Sequence, residues 1–412
     1  MNLLWMAPAA LALIGVGALL MLARRSSRQP PPAARRPQPA ATPPRPAAAG
    51  RTPSTPRAPG TAAARTPSAA AAAADAIAAA QATAAAAVPV PAELADFRPR
   101  PAVELPAERQ AAVLTVFKDV PRPPRLLHHL LSPDFFGGAS SAQLVDLISA
   151  EPLIAAKVLA AVNSPLYALN RAVDSIGQAV TYLGLNTVRS LCLQYIVRSS
   201  FMSDTPERKR LLDETWTASA MASELAQRLT QALGLDDRGS LVSAVVLSFL
   251  GRVALVATTP RGILAKLPSR GLLARERAEQ DRLGLCAAEI GRLLMTDWGL
   301  PPGLVADAAD LDRVLVTPAA ELDHERGRRL ALGYACARLG ERMAAGGLRD
   351  LAVFDLRADV DVDLFHLRAA LGTLPLARLP VALQAQDLAA VMQRMQLACG
   401  VLDREGAGAP SS

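Results

Sequence analysis

The chain is poor in histidine, cysteine and aromatic residues. Across 412 residues it has four histidines, His128, His129, His324 and His366, and four cysteines, Cys192, Cys286, Cys336 and Cys399. The cysteines are far apart, in apolar helical contexts, with no CxxC pair and no histidine beside them. That excludes a cysteine-rich zinc module and predicts buried, reduced thiols in a reducing compartment. Aromatic residues make up 4% of the chain. His128 and His129 are neighbours, so on a helix they point about 100° apart and hold one ion poorly; one buried and one exposed ring is expected. No Walker loop, GxSxG elbow or EF-hand loop occurs in the part that can fold. Glu224 and Glu289 sit on amphipathic helices, where a charge marks the solvated face, and neither suggests a general acid. Ser243 and Ser248 interrupt an apolar helix and are expected to bond back to carbonyls one turn earlier.

Acidic residues and lysine are both absent from one long stretch. Between Arg24 and Ala74 there are nine arginines and no other charge, while the whole chain carries +7. Taking nine from seven leaves −2 for everything else. The basic character therefore belongs to a proline- and alanine-rich segment, and a nucleic-acid partner is not expected, because such binding needs a basic face on a folded module. The segment 28–100 has too few branched or aromatic side chains to bury a core and predicts a disordered tether. Before it, Leu3 to Ala23 is 21 residues without a charge. At 1.5 Å per residue that is about 31 Å, enough to cross a bilayer core. Arg24, Arg25 and Arg28 follow the run and no basic residue precedes it, so residues 1–27 predict an uncleaved single span. The expected topology is N-terminus out, with the folded domain in the cytoplasm at the inner membrane.

Beyond the tether the sequence reads as a series of helices with recognisable ends and no alternating pattern. Glu151-Pro152 opens a helix that stops at Asn163. Ser175 and Gln178 have the spacing of a capping box, and Gly184 ends the helix they start. Asn186 is expected to cap the next one, and Thr205-Pro206 the one after, which runs past Trp216 to Gly234. Thr317-Pro318 predicts the start of a long helix ending near Ala345. The expected fold class is all-α, a compact multi-helix bundle over 101–315 with a helical C-terminal extension over 316–402 and a disordered tail, 403–412. Phe135 and Phe136 are expected to plug the domain.

The run from Ile148 to Leu193 resembles the HDOD domain, the HD-related output domain of bacterial signalling proteins. The likeness rests on Glu151-Pro152, Asn163-Ser164 with Tyr167 soon after, Ser175-Ile176 to Gln178-Ala179, Leu183-Gly184, and Val188-Arg189. In weaker form it extends to about Asp312, through Gly251-Arg252. It implies a signalling module that acts through protein or ligand binding, and together with the apolar span at the N-terminus it gives the expectation of a membrane-tethered regulator with a cytosolic protein partner of unknown identity.

That domain is similar in turn to the HD metal-dependent phosphohydrolases, whose His-Asp pair lies in a helix reading LLHDIGK. Here the corresponding stretch is VLSFLGR, so the pair has become Ser248-Phe249. Two further ligand positions correspond to Ala218 and Ala287. A hydrolytic metal needs several imidazole or carboxylate ligands before it can acidify a bound water. Serine is a poor ligand and phenylalanine and alanine are none. The resemblance therefore implies no catalytic residue, no metal and no cofactor. The rival reading is an HD-type phosphohydrolase acting on nucleotides. Arg252 is expected to form a structural ion pair.

The topology is checked by reporter fusion: a cytoplasmic reporter placed after Arg100 is expected to be active and a periplasmic one silent. The reverse pattern would contradict the orientation.

Overall fold

The computed structural model describes residues 89–402, apart from 117–119, 121–122, 124, 133–134, 136–137, 139, 168, 170, 202–204, 236–237, 323 and 373–375. The apolar run at 3–23, the alanine-rich run, Phe136 and the C-terminal tail lie outside the described residues. Every regular element among those described is helical. We name α1 (Ser141–Ser149), α2 (Pro152–Val162), α3 (Ile176–Leu183), α4 (Leu185–Ser199), α5 (Pro206–Leu233) and α6 (Arg238–Ser248). Then come α7 (Leu250–Thr258), α8 (Leu272–Leu283), α9 (Ala287–Asp297), α10 (Pro302–Asp310), α11 (Glu325–Ala344) and α12 (Gln386–Ala398).

Local chemistry explains most of these ends. Pro152 is the first residue of α2, where its missing amide is not needed. Asn163 then ties the end of α2 to the approach of α3. Its Nδ2 donates to the Leu159 carbonyl at 2.9 Å and to the Val173 carbonyl at 2.7 Å, and its Oδ1 accepts from the Val173 amide at 2.7 Å. The Asn163 side chain is itself exposed, so this is a surface staple over the buried Val173. Ser175 accepts from the Gln178 amide, but Gln178 reaches back to the Asp174 amide, so the capping box is completed one residue early. Gly184, at φ 84°, separates α3 from α4. Asn186, expected as the cap of α4, lies inside it because the helix begins at Leu185. Thr205 caps α5 through the Arg208 amide, and Gly234 ends α5 in the left-handed region that favours glycine.

Two apolar cores share the middle helices. One gathers Leu144, Ile148, Val158, Ile196 and Trp216 with one side of α6 and α7. The other gathers Leu225, Leu229, Tyr334, Leu339 and Met343 with the opposite side of α6. Val245 and Phe249 belong to the second core, while Leu247, Leu250 and Val253 belong to the first. A helix that is apolar all round must be buried all round. The stretch 239–258 is long and apolar enough to cross a membrane, yet 83% of its most apolar window is buried within the protein. It is the central core element, bent at Phe249, whose backbone stays right-handed helical while the regular helix stops and restarts.

Two expectations are corrected here. Residues 89–100, placed in the disordered tether, are ordered against the body: Leu94 and Phe97 are buried, the Arg100 amide donates to Gln280 Oε1 at 2.6 Å, and Arg277 lies over the Phe97 ring. The short apolar and aromatic content of "AELADF" suffices to dock, with Leu94 and Phe97 joining the core that contains Leu272 and Leu273. The long C-terminal helix also starts late. After Thr317-Pro318 comes one 3₁₀ turn, Ala319–Leu322, and α11 begins at Glu325 with His324 as its cap, Nδ1 accepting from the Gly327 amide at 2.7 Å. Phe135 is buried and lies 6.0 Å from the Arg189 guanidinium, which is itself buried.

The tightest crossing is between α7 and α9. A Cβ at Gly251 would overlap the Ala287 carbonyl, and one at Gly291 would come within 3.0 Å of the Gly251 nitrogen. Gly251 thus lets two backbones touch, which fixes Phe249 beside the start of α9. Gly251→Ala is predicted to cost at least the roughly 1–3 kcal/mol typical of overpacking, lowering the melting temperature by about 2–4 °C per kcal/mol. A thermal melt followed by circular dichroism checks this; an unchanged midpoint would contradict it.

Candidate functional site

The bend at Phe249 and the Gly251 crossing bring three of the four expected positions together. Ser248, Phe249 and Ala287 line one small enclosed space with Arg252, Arg275, Glu276, Glu279, Asp312, Arg338 and Glu341. About 10 Å³ is left open, no more than a single water needs. Ala218 does not line it. Ala218 lies on α5 and borders an adjoining cavity of about 320 Å³ that shares Arg252, Arg275, Arg338 and Glu341. The small side chain there serves packing as well: a Cβ at Gly340 on α11 would meet the Ala218 carbonyl at 2.7 Å, so α5 and α11 are in near backbone contact.

Ionic groups occupy the rest of the space. Arg252 Nη1 donates to Glu279 Oε1 at 3.2 Å, which is the structural pair expected of Arg252. Arg275 donates to Glu341 at 2.9 Å, and Arg338 to Glu341 at 2.8 Å and to Asp312 at 3.2 Å. Glu279 Oε2 also accepts the Ala287 amide at 2.8 Å, so one carboxylate both pairs Arg252 and caps α9. Charges this deep remain stable only when paired and hydrogen-bonded. Burial lowers the Arg252 pKa, and Arg275 adds to that, while Glu279 acts against it. Burial also works against Glu341, yet Arg275 and Arg338 hold its carboxyl below the usual range.

Glu276 is the exception. It is fully buried, its Oε2 has no hydrogen-bond partner among the described residues, and burial together with Asp312 and Glu279 pushes its carboxyl well above the ordinary value. Burial raises the Glu279 and Asp312 carboxyls as well, against the pull of Arg275 and Arg252 on Glu279 and of Arg338 on Asp312.

This donor set does not fit a divalent metal. Ser248 Oγ is turned back to the Val245 carbonyl at 2.8 Å, as Ser243 Oγ is to that of Gly239 at 2.9 Å. Phe249 and Ala287 offer no ligand atom, and the carboxylates are committed to arginines. A dication would enter beside three fixed guanidiniums, which at these separations repel it strongly in a water-poor interior. Among the described residues no group of three His, Cys, Asp or Glu side chains could hold a metal ion.

Several other expectations need correction. Glu289, assigned to a solvated face, is buried and accepts from the Ala102 amide at 3.0 Å, with Arg292 and Arg313 at 3.3 and 3.4 Å. Glu224 is half-buried and pairs with Arg228 at 2.6 Å. His128 and His129 are both exposed, because Leu126, Leu127 and Leu130 already supply the buried face of their helix. Cys399 is exposed; the other three cysteines are buried, and burial raises the Cys192 thiol to about 12. The sequence reading missed Arg275, Glu276, Glu279, Asp312, Arg338 and Glu341. A signal was present in α11, where Arg338 is the one charge within the apolar stretch Leu330–Gly340 and Glu341 follows it directly.

Residues 121–313 match the family model of the HDOD domain, and the chain carries an HDOD domain over that span. Glu151, Pro152, Asn163, Ser164, Gln178, Gly184, Arg189, Gly251 and Arg252 all fall inside it. No curated protein matches the sequence. The fold is similar to a crystal structure of an HDOD domain protein of unknown function from Geobacter sulfurreducens. That likeness has 17% identity, covers 71% of this chain and 98% of that one, and has a TM-score of 0.49. A proposed phosphohydrolase from Shewanella amazonensis SB2B shows 21% identity over 70% of this chain and 98% of that one, at a TM-score of 0.47. A proposed signal transduction protein from Marinobacter aquaeolei VT8 shows 18% identity over 77% and 66%, at 0.41.

The raised Glu276 carboxyl has a pH consequence. Its folded pKa is raised, so its contribution to stability is whole below the ordinary value of 4.5 and is lost as pH rises through the folded value. Glu276→Gln, which keeps the shape without the proton, is predicted to match the wild type near pH 4.5 and to melt higher than it at alkaline pH. Melting curves across pH check this; a variant less stable at alkaline pH would mean that Glu276 is ionised and needed as a counter-ion.

Proposed function

We propose that this chain is a non-catalytic regulatory module that acts by binding. One observation carries the reading: at the place where an HD phosphohydrolase would hold its metal, Ser248, Phe249 and Ala287 face a closed network of Arg252, Arg275 and Arg338 with their carboxylates. A guanidinium can neutralise charge, but it neither lowers the pKa of a bound water to neutrality nor gives up a proton there. The network therefore serves as structure, holding α7, α8, α9 and α11 in register. In this reading the apolar run 3–23 tethers the module to the inner membrane through the arginine-rich segment. The folded part faces the cytoplasm and meets a protein partner there, without a cofactor and without nucleic acid. A tether of about 60 residues, up to the docked segment that begins at residue 89, has a root-mean-square span of roughly 43 Å by flexible-chain scaling, lengthened by its prolines. The module then samples partners well clear of the lipid.

The rival is a metal-dependent phosphohydrolase acting on nucleotides. The two are separated by metal analysis of the purified full chain and by incubating it with manganese or ferrous ion and cyclic dinucleotides. The expected result is no stoichiometric transition metal and no turnover above the uncatalysed rate. One equivalent of metal, whose removal by chelator abolishes turnover, would overturn the reading.

A further inference from the structure

A second cavity, of about 500 Å³, lies away from the ionic network, between α2, α4, α5 and the end of α12. In a chain with four tyrosines and three tryptophans, Tyr167, Tyr195 and Trp216 all line this one groove. Such a concentration of rings supplies flat apolar faces on which an aromatic heterocycle can stack. Beside the hydroxyls of Tyr167, Tyr195, Ser164 and Ser190, which can donate or accept, the polar lining carries amide and carboxylate acceptors. Gln194 donates from Nε2 to Ser190 Oγ at 3.3 Å and to Ser223 Oγ at 3.0 Å, and Gln227 Nε2 donates to Thr187 Oγ1. Each amide is thereby oriented, and each Oε1 is left without a partner among the described residues. Glu224 uses Oε1 for Arg228 and leaves Oε2 in the same condition. At the rim stand Lys157, with no carboxylate partner among the described residues, and Arg198, paired with Asp213 on the exposed side at 2.8 Å.

Oriented carbonyl and carboxylate acceptors select a ligand edge rich in N–H donors, and the two rim cations select an anionic substituent at the other end. A guanine ring, with its ring N–H and exocyclic amine on one edge, joined to a phosphate, meets both requirements. Adenine presents an acceptor where guanine presents the ring N–H. We propose that this groove binds a guanine nucleotide, stacked against the tyrosines, with its donor edge on Gln194, Gln227 and Glu224 and its phosphate towards Lys157 and Arg198. The volume suits a ligand of that size. Met395 and Ala398 of α12 form one wall, so the ligand would bridge the HDOD domain and the C-terminal helices that follow it. This deepens the binding reading given above and rests on it.

The test is calorimetric titration of the detergent-solubilised full chain with GMP, AMP and ribose 5-phosphate, with each nucleotide recovered and analysed afterwards. GMP is expected to bind at least tenfold more tightly than AMP, and ribose 5-phosphate more weakly than either. Gln194→Leu and Tyr195→Ala are expected to weaken GMP binding tenfold or more at an unchanged melting temperature, and Lys157→Ala to weaken GMP and AMP alike. GMP bound and recovered intact supports both readings. GMP bound but hydrolysed supports the groove and overturns the non-catalytic reading. No binding of GMP at about 1 mM, the weak end of specific recognition, overturns the groove and leaves the regulatory reading standing. Equal affinity for GMP and AMP, or GMP binding that survives both Gln194→Leu and Tyr195→Ala, also overturns it.

Discussion

Three guanidinium groups buried at one crossing of helices must each find a carboxylate, and much of this fold is arranged around that requirement. Arg252 comes from α7, Arg275 from α8 and Arg338 from α11. Their partners come from α8, α11 and the turn after α10. Removing one member would leave a buried charge uncompensated, which typically costs about 3–5 kcal/mol, whereas the intact network adds little net stability. Its geometry couples the elements: Arg252 of α7 and the Ala287 amide of α9 meet Glu279 of α8, and Arg275 of α8 meets Glu341 of α11. Glu276 stands among them with its carboxyl pushed well above the ordinary value by burial and by Asp312 and Glu279.

The network also accounts for the C-terminal helices. The family match ends at residue 313, yet Arg338 and Glu341 lie well beyond it, on α11, inside the same ionic cluster. α11 packs along α5 through Gly340 against Ala218 and Ala222, and its apolar residues complete the second core. The C-terminal extension is thus part of the folded body. It supplies charges without which Arg275 would lack its closest partner.

Much of this was legible in the chain itself. Helix ends marked by Pro152, Thr205 and Gly234 were readable because each depends on chemistry within a few residues. The backbone-bonded Ser248 was readable for the same reason, whereas the ion pair expected of Arg252 found its partner in Glu279, 27 positions on, which the local sequence does not mark. What could not be read depends on contacts between distant residues. The burial of Glu289 is set by the Ala102 amide, 187 positions away, and the docking of Leu94 and Phe97 by a surface on α8 and its neighbours. A charge on an amphipathic helix gives no sign of whether a partner will cover it. The ionic cluster was hidden because its members are scattered from Arg252 to Glu341 and become neighbours only through the Gly251 crossing.

The central claim is that ion pairs, and not metal ligands, fill the space beside Ser248, Phe249 and Ala287. Anomalous diffraction from crystals grown with manganese tests it most directly. The account predicts no anomalous peak beside Ser248, Phe249 and Ala287, with the Arg252–Glu279 and Arg338–Asp312 pairs intact. A peak there, with those pairs broken and their carboxylates turned onto the ion, would contradict it.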